Sequence, residues 1–88
     1  MFTVVWTPDA LDDLATAWMS AEPDVRRQTS AAMTLLERHL RANGDRLGES
    51  RQDENSRVLI VEPLGVEFAV SVPDRMVTVF HAWRVPPR

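Results

Sequence analysis

Few side chains in this chain could carry acid–base chemistry. All ten basic residues are arginine, and neither lysine nor tyrosine occurs. Proton transfer would therefore depend on carboxylates, on His39 or on His81, with arginine as a fixed cation. Cysteine is also absent, which excludes disulfides, thiolate metal sites and thiol catalysis. The two histidines lie far apart without ligand spacing, so we expect neither a metal nor a cofactor.

Length and charge restrict the class of protein. The 88 residues, 44% hydrophobic and 26% charged, predict one domain over residues 1–88 in which helices must pack on a sheet. The net charge of −3 argues against a surface made wholly for RNA or DNA, although a local arginine patch is compatible with it. No apolar run reaches the ~20 residues of a membrane span, and the first residues lack the basic region of a signal peptide. We therefore expect a cytoplasmic protein.

The segment that must position His81 is residues 57–85. Three runs rich in Val, Leu, Ile and Phe are separated by turn residues at 63–65 and 73–75, which predicts three antiparallel strands. In a regular third strand His81 and Trp83 share a face with Val77 and Val79, and Arg84 lies on the opposite face. His81 and Arg84 would then line one site only if a bulge or a strand end intervened.

The first half of the chain predicts a strand and two helices. Residues 2–6 are β-branched and aromatic, and Thr7 and Pro8 are typical of a helix start. Residues 11, 14, 15 and 18 form an apolar stripe that we expect to pack on the sheet. Pro23 begins a second helix that ends near Gly44, and the polar residues 45–56 form a loop with a short strand around residues 48–51.

This order of elements resembles the RelE/ParE superfamily of bacterial toxin–antitoxin systems, also called plasmid stabilisation proteins. The resemblance is carried by residues 5–14 (VWTPDALDDL), 56–58 (SRV) and 77–84 (VTVFHAWR), and it covers essentially the whole chain. It implies an α+β fold in which the first strand joins the meander in a four-stranded, mostly antiparallel sheet. Both helices would cover one face, and the other face would carry the site.

The resemblance also implies partners and two activities. Such toxins are bound by a cognate antitoxin; ribosome-dependent members cut mRNA as endoribonucleases, and ParE-like members inhibit DNA gyrase. A dimer is compatible with the pattern. A protein-interaction module with the same fold and no toxicity is a further alternative.

The resemblance places the candidate site on the loop and the meander. Ribosome-dependent members typically use lysine, arginine, tyrosine, histidine or glutamate, and two of these types are missing here. The implied catalytic residues are therefore Glu49 as a base, His81 as an acid or base, and Arg57 as a phosphate ligand. Arg51, Arg84 and Trp83 are the residues expected to bind RNA or a protein partner.

Several of these residues have structural interpretations that stay open. His81 lies between Val79 and Trp83 and could equally be a buried, hydrogen-bonded histidine. Trp83 could belong to the core, and Arg57 could be an exposed charge at a strand end. The sequence thus leaves open whether the chain is an enzyme or a binding protein.

Overall fold

The computed structural model of the chain describes residues 1–50 and 56–86, with side chains for all of these except residues 49 and 50. The elements follow one another in the order β1 (Thr3–Trp6), α1 (Pro8–Met19), α2 (Pro23–Asn43), β2 (Glu49–Ser50), β3 (Arg57–Val61), β4 (Leu64–Ser71) and β5 (Met76–Arg84).

The five strands form one sheet in the order β1-β5-β4-β3-β2. β1 runs parallel to β5, and the other neighbours are antiparallel. The prediction of a first strand, a two-helix hairpin and a three-stranded meander in one sheet is therefore confirmed. The two-residue β2 extends the four predicted strands at the far edge.

Helix α1 begins where the sequence indicated. The backbone N–H of Ala10 donates to Oγ1 of Thr7 at 3.1 Å, and Pro8 occupies the first helical position. The backbone N–H of Thr7 donates to the carbonyl oxygen of Val79 at 2.9 Å. Because β1 pairs with β5 only as far as Val79, α1 continues along the edge of β5 that β1 leaves free.

Helix α2 supplies the helical half of the core. Its buried residues recur at helical spacing (Thr29, Ala32, Leu36 and Leu40). They pack against fully buried side chains of β4 and β5 (Leu64, Val66, Phe68, Val77 and Val79). One face of the sheet is thereby covered, and the apolar pattern of α2 is confirmed.

Gly44, just after α2, occupies a position where a side chain would not fit. Gly44 has helical φ and ψ, −53° and −33°, so no left-handed conformation requires it. A Cβ atom there would lie 2.6 Å from the carbonyl oxygen of Leu40 and 2.6 Å from Cγ2 of Val77. The glycine lets the helix end approach the sheet.

A β-bulge in β5 changes the faces that the sequence predicted. Glu67 of β4 pairs with His81 and the next residue, Phe68, pairs with Val79, so Phe80 has no partner. After Phe80 the alternation is inverted, and Ala82 joins Val79 on the buried face. The prediction that His81 and Trp83 share a face with Val77 and Val79 was wrong, because a period-two pattern contains no sign of an inserted residue.

The apolar stripe of α1 packs on the sheet only in part. Ala10 is buried and Leu14 packs against the core, but Leu11 is 48% exposed and Trp18 is 41% exposed. α1 itself packs along β5, and the exposed part of its stripe lines a groove between α1 and α2. Within residues 1–50 and 56–86, no helix is both long and apolar enough to cross a bilayer.

Candidate functional site

The sheet face opposite α2 is the candidate site, and we call it the open face. The strand register defines this face, because residues paired across neighbouring strands form rows across the sheet. One row holds Ile60, Gly65 and Trp83, and the next holds Val58, Glu67 and His81. The other described residues of the open face are uncharged: Thr3, Val5, Ala69, Ser71, Met76 and Thr78.

Trp83 lies directly over Gly65. A Cβ atom on Gly65 would lie 2.6 Å from Nε1 and 2.6 Å from Cε2 of the indole, so the glycine makes room for the ring. The indole is nevertheless 37% exposed. Trp83 is therefore a positioned aromatic surface on the open face and not a core residue.

His81 lies close to one carboxylate, that of Asp13, and opposite Glu67 in the strand register. Its Nδ1 is 3.7 Å from Oδ2 of Asp13 in α1, and Glu67 is its direct neighbour on β4. Oδ2 of Asp13 also accepts the backbone N–H of Ala82 at 3.1 Å, which satisfies the strand edge just after the bulge. The His81 side chain is 56% exposed, so the buried-histidine interpretation does not apply.

Glu67 is held in place from the neighbouring segment. Oγ of the buried Ser56 donates to Oε2 of Glu67 at 2.5 Å. This contact draws the carboxylate toward the start of β3, whereas His81 lies on the other side of β4, in β5.

Arg57 lies on the opposite face from His81. Its register partner is Phe68, whose side chain is in the core. Nη1 of Arg57 donates to the carbonyl oxygen of Asp45 at 2.7 Å, with Gly44 at 3.4 Å and Leu47 at 3.5 Å. The guanidinium therefore ties down the chain just after α2, and the structure does not bring it together with His81 in one site.

The other predicted site residues are dispersed. Arg84 pairs with Leu64 on the helix side of the sheet, where it lines a cavity with Val25 and Gln28. The bulge precedes His81, so Arg84 and His81 still face opposite ways. Glu49 is in the short strand β2 beside Val58, and nothing is described of its side chain; Arg51 lies outside the described residues.

The chemistry that the open face can support follows from its charges. Glu67 and His81 are register partners on the open face, and Asp13 lies 3.7 Å from the imidazole of His81; carboxylates and imidazoles are the types of group that exchange protons in general acid–base catalysis. Stabilising the charge that develops on phosphorus requires cations as well. No arginine lies on the open face within residues 1–50 and 56–86, and lysine is absent from the chain.

A second surface feature is the groove between the helices, which we call the interhelical groove. It encloses about 380 Å³ and is almost entirely apolar. Residues of α1 and α2 form its walls: Leu11, Leu14, Ala15, Trp18, Met19, Thr29, Ser30 and Met33. At one end Arg26 covers Trp18, with Cζ 4.6 Å from the ring centroid, and its Nε donates to the carbonyl oxygen of Trp18 at 3.0 Å.

Sequence reasoning missed two residues of the candidate site, Glu67 and Asp13. A signal for Glu67 existed, because it alternates with Val66 and Phe68 and so had to face away from the core. Asp13 had no such signal, since its contact with β5 depends on where β1 ends.

Solved structures of toxin–antitoxin systems are similar to this chain. The chain is similar to a protein of the chromosomal ParDE system of P. aeruginosa, with 17% identity over 98% of both chains and a TM-score of 0.73. It is also similar to a chain of the RelBE2 toxin–antitoxin complex of Mycobacterium tuberculosis, with 16% identity over 94% of this chain and 90% of the other, and a TM-score of 0.75. The isolated E. coli RelE toxin matches with 14% identity over 100% and 88%, and a TM-score of 0.64.

At these identities the similarity establishes the fold, which is that of RelE/ParE toxins. No protein-family model matches the sequence, and no curated protein matches it.

Proposed function

We propose that this chain, which has the RelE/ParE fold, is the toxin of a type II toxin–antitoxin pair and acts by binding a protein target. DNA gyrase, the target of ParE-like toxins, is the target we propose. The observation that carries the proposal is the interhelical groove, an apolar surface left uncovered in a chain whose fold matches toxins over nearly its full length.

The groove has the properties of a binding surface for an antitoxin helix. Exposed apolar side chains on a small protein are unfavourable unless a partner covers them, and here Leu11, Trp18 and Met19 are clustered and not scattered. An amphipathic helix placed between α1 and α2 would bury them, with anchors at helical spacing. Solved complexes of two similar proteins, RelBE2 and E. coli RelBE, are toxin–antitoxin complexes.

The open face supports binding in preference to RNA cleavage. Ribosome-dependent cleavage would need cations beside His81, and the open face has none among the described residues. Arg57, which the sequence assigned to phosphate, is engaged with backbone carbonyl groups near the end of α2. Tryptophan and methionine are enriched at protein interfaces, and both are present on the open face, as Trp83 and Met76.

The test of toxicity is to induce this chain alone in bacteria and to follow growth, mRNA integrity and plasmid supercoiling in the same culture. We expect growth arrest with intact mRNA and altered supercoiling. Growth arrest with cleaved mRNA would instead indicate that the chain is an endoribonuclease. Normal growth with soluble, folded protein would contradict the toxin and favour the interaction module without toxicity.

The antitoxin surface is tested with two matched variants. Leu11→Glu places a charge in the interhelical groove, whereas Leu35→Glu changes another exposed leucine, in α2, that does not line it. We expect the Leu11 variant to stay toxic when the protein encoded beside it is co-expressed, because the groove no longer binds that protein. The co-expressed protein should neutralise the toxicity of the Leu35 variant as it does that of the parent chain. Equal neutralisation of both variants would show that the interhelical groove does not bind the antitoxin.

A further inference from the structure

One arginine joins the last turn of α1 to the first turn of α2. Nε of Arg26 donates to the carbonyl oxygen of Trp18 at 3.0 Å, and its Nη2 donates to the carbonyl oxygen of Met19 at 3.0 Å. The last carbonyl groups of a helix have no partner inside that helix, so these contacts cap α1. The last turn of α1 has no basic residue of its own, and Arg26 supplies the positive charge that favours a helix C-terminus.

The same guanidinium lies over the ring of Trp18. Its Cζ is 4.6 Å from the ring centroid, which is within the range of cation–π attraction. A guanidinium is planar and its donors form a rigid fork, so the two hydrogen bonds to the backbone of α1 fix the plane of the group. The indole therefore rests against a surface that is itself held in place.

The core does not hold that ring. In α1, Ala10 is buried and Leu14 packs against the core, whereas Trp18, one turn further along the helix, is 41% exposed and lines the interhelical groove. Met19 beside it is more exposed still. The position of the Trp18 ring in the groove wall thus depends on its contact with Arg26 and not on packing in the core.

A tryptophan held in this way is suited to be a binding anchor. Tryptophan and arginine are the residue types that most often carry the binding energy of an interface. A side chain that is ordered before binding loses less conformational freedom when the partner arrives. A partner that covers the ring also removes water from its contact with Arg26, and cation–π attraction is stronger where water is excluded.

We propose that Arg26 is a positioning residue, which fixes the ring of Trp18 in the wall of the interhelical groove, and that Trp18 held there is the main anchor for the antitoxin helix. The inference rests on the proposed function, in which that helix occupies the groove. The antitoxin helix accordingly presents an apolar side chain to the indole at the end of the groove where Arg26 lies.

The first measurement is the order of the Trp18 ring in the purified full chain without any partner. Nitrogen-15 relaxation of its indole N–H, assigned with the Trp18→Phe variant, gives an order parameter. We expect Arg26→Gln to lower it clearly, and Arg26→Lys to lower it as well, because a lysine keeps the charge and loses the planar group. Arg27→Gln is the matched control, since Arg27 pairs with Asp24 at the surface, and it should leave the order parameter unchanged.

The second measurement is the affinity for the purified protein encoded beside this chain, by isothermal titration calorimetry. We expect Arg26→Gln to weaken binding about three- to tenfold and Trp18→Ala to weaken it about 30-fold or more. In a chain that already carries Trp18→Ala, adding Arg26→Gln should have no further effect, because Arg26 acts through the ring. A role confined to capping α1 would instead weaken binding by the same factor with and without the tryptophan.

The inference is overturned if the indole stays ordered in Arg26→Gln, or if Arg26→Gln weakens binding equally with and without Trp18. Urea unfolding of each variant shows that it is folded. Both outcomes leave the antitoxin surface in place when the parent chain binds the protein encoded beside it. A parent chain that does not bind that protein contradicts the antitoxin surface itself, and the anchor role of Trp18 is then rejected with it.

Discussion

The position of the Arg57 side chain gives it a role in stability and keeps it away from the candidate site. Its guanidinium is bound by the carbonyl oxygens of Asp45 and Gly44, so it holds the end of α2 against the start of β3. Hydrogen bonds from a charged donor to backbone carbonyls are worth about 1.5–3 kcal/mol. This cation therefore contributes to the free energy of unfolding and is not available to a phosphate on the opposite face.

Replacing Arg57 with alanine is expected to lower the free energy of unfolding by about 1.5–3 kcal/mol, because those carbonyl groups lose their donor. Urea unfolding followed by circular dichroism measures the change. Arg84→Ala is the matched control, since Arg84 is exposed at the end of β5, and we expect it to stay within about 0.5 kcal/mol of the parent. Equal effects of the two substitutions would contradict the structural role of Arg57.

Two glycines give a second prediction at the residue scale. A methyl group at Gly44 meets the backbone of Leu40 and the buried Val77, and neither can move away. A methyl group at Gly65 meets only the partly exposed ring of Trp83, which can swing outward. We expect Gly44→Ala to cost about 1–3 kcal/mol in urea unfolding and Gly65→Ala to cost less. A larger loss for Gly65→Ala would mean that the Trp83 ring is fixed by more than its contact with glycine.

The two helices contribute differently to the core and to the surface. α2 places Leu36 and Leu40 in the core, fully buried against the sheet, whereas α1 lies along the edge of β5 and directs most of its apolar stripe into the interhelical groove. The stabilisation from burial therefore comes mainly from α2. In the proposed function, the antitoxin covers the exposed stripe of α1.

The same substitution in the two helices tests this division. Leu36→Ala removes a fully buried side chain and should destabilise the chain by about 2–5 kcal/mol. Leu11→Ala removes a side chain that is largely exposed, so we expect a change of about 0.5 kcal/mol or less. The comparison is made by urea unfolding at one pH. A loss at Leu11 as large as that at Leu36 would restore the expectation that the α1 stripe packs in the core.

For the whole molecule, the sequence predicted the elements better than the surfaces. The cap at Thr7, the proline at position 23 and the helical spacing of Leu36 and Leu40 are local signals, and each corresponds to a feature of the fold. The face of the sheet on which a side chain lies depends on the pairing between strands that are distant in sequence. The unpaired Phe80 inverted the positions of His81 and Trp83 relative to expectation, and the register of β3 turned Arg57 toward the core side.

The site was less predictable than the fold for the same reason. A residue type indicates which chemistry is available, but the groups that act together depend on the register and on where β1 ends. Glu67 and Asp13 approach His81 only through these two features. The apolar stripe of α1 likewise indicated a buried surface without showing whether a sheet or a partner covers it.

The central claim is that this chain inhibits a protein target by contact, and its most direct test is DNA supercoiling by purified gyrase in the presence of the purified chain. We predict that relaxed plasmid stays relaxed once the chain is in molar excess over gyrase. A cell-free translation reaction with the same preparation should show intact mRNA. Normal supercoiling together with cleavage of mRNA in the translation reaction would contradict the claim and return His81 and Glu49 to the role of catalytic residues.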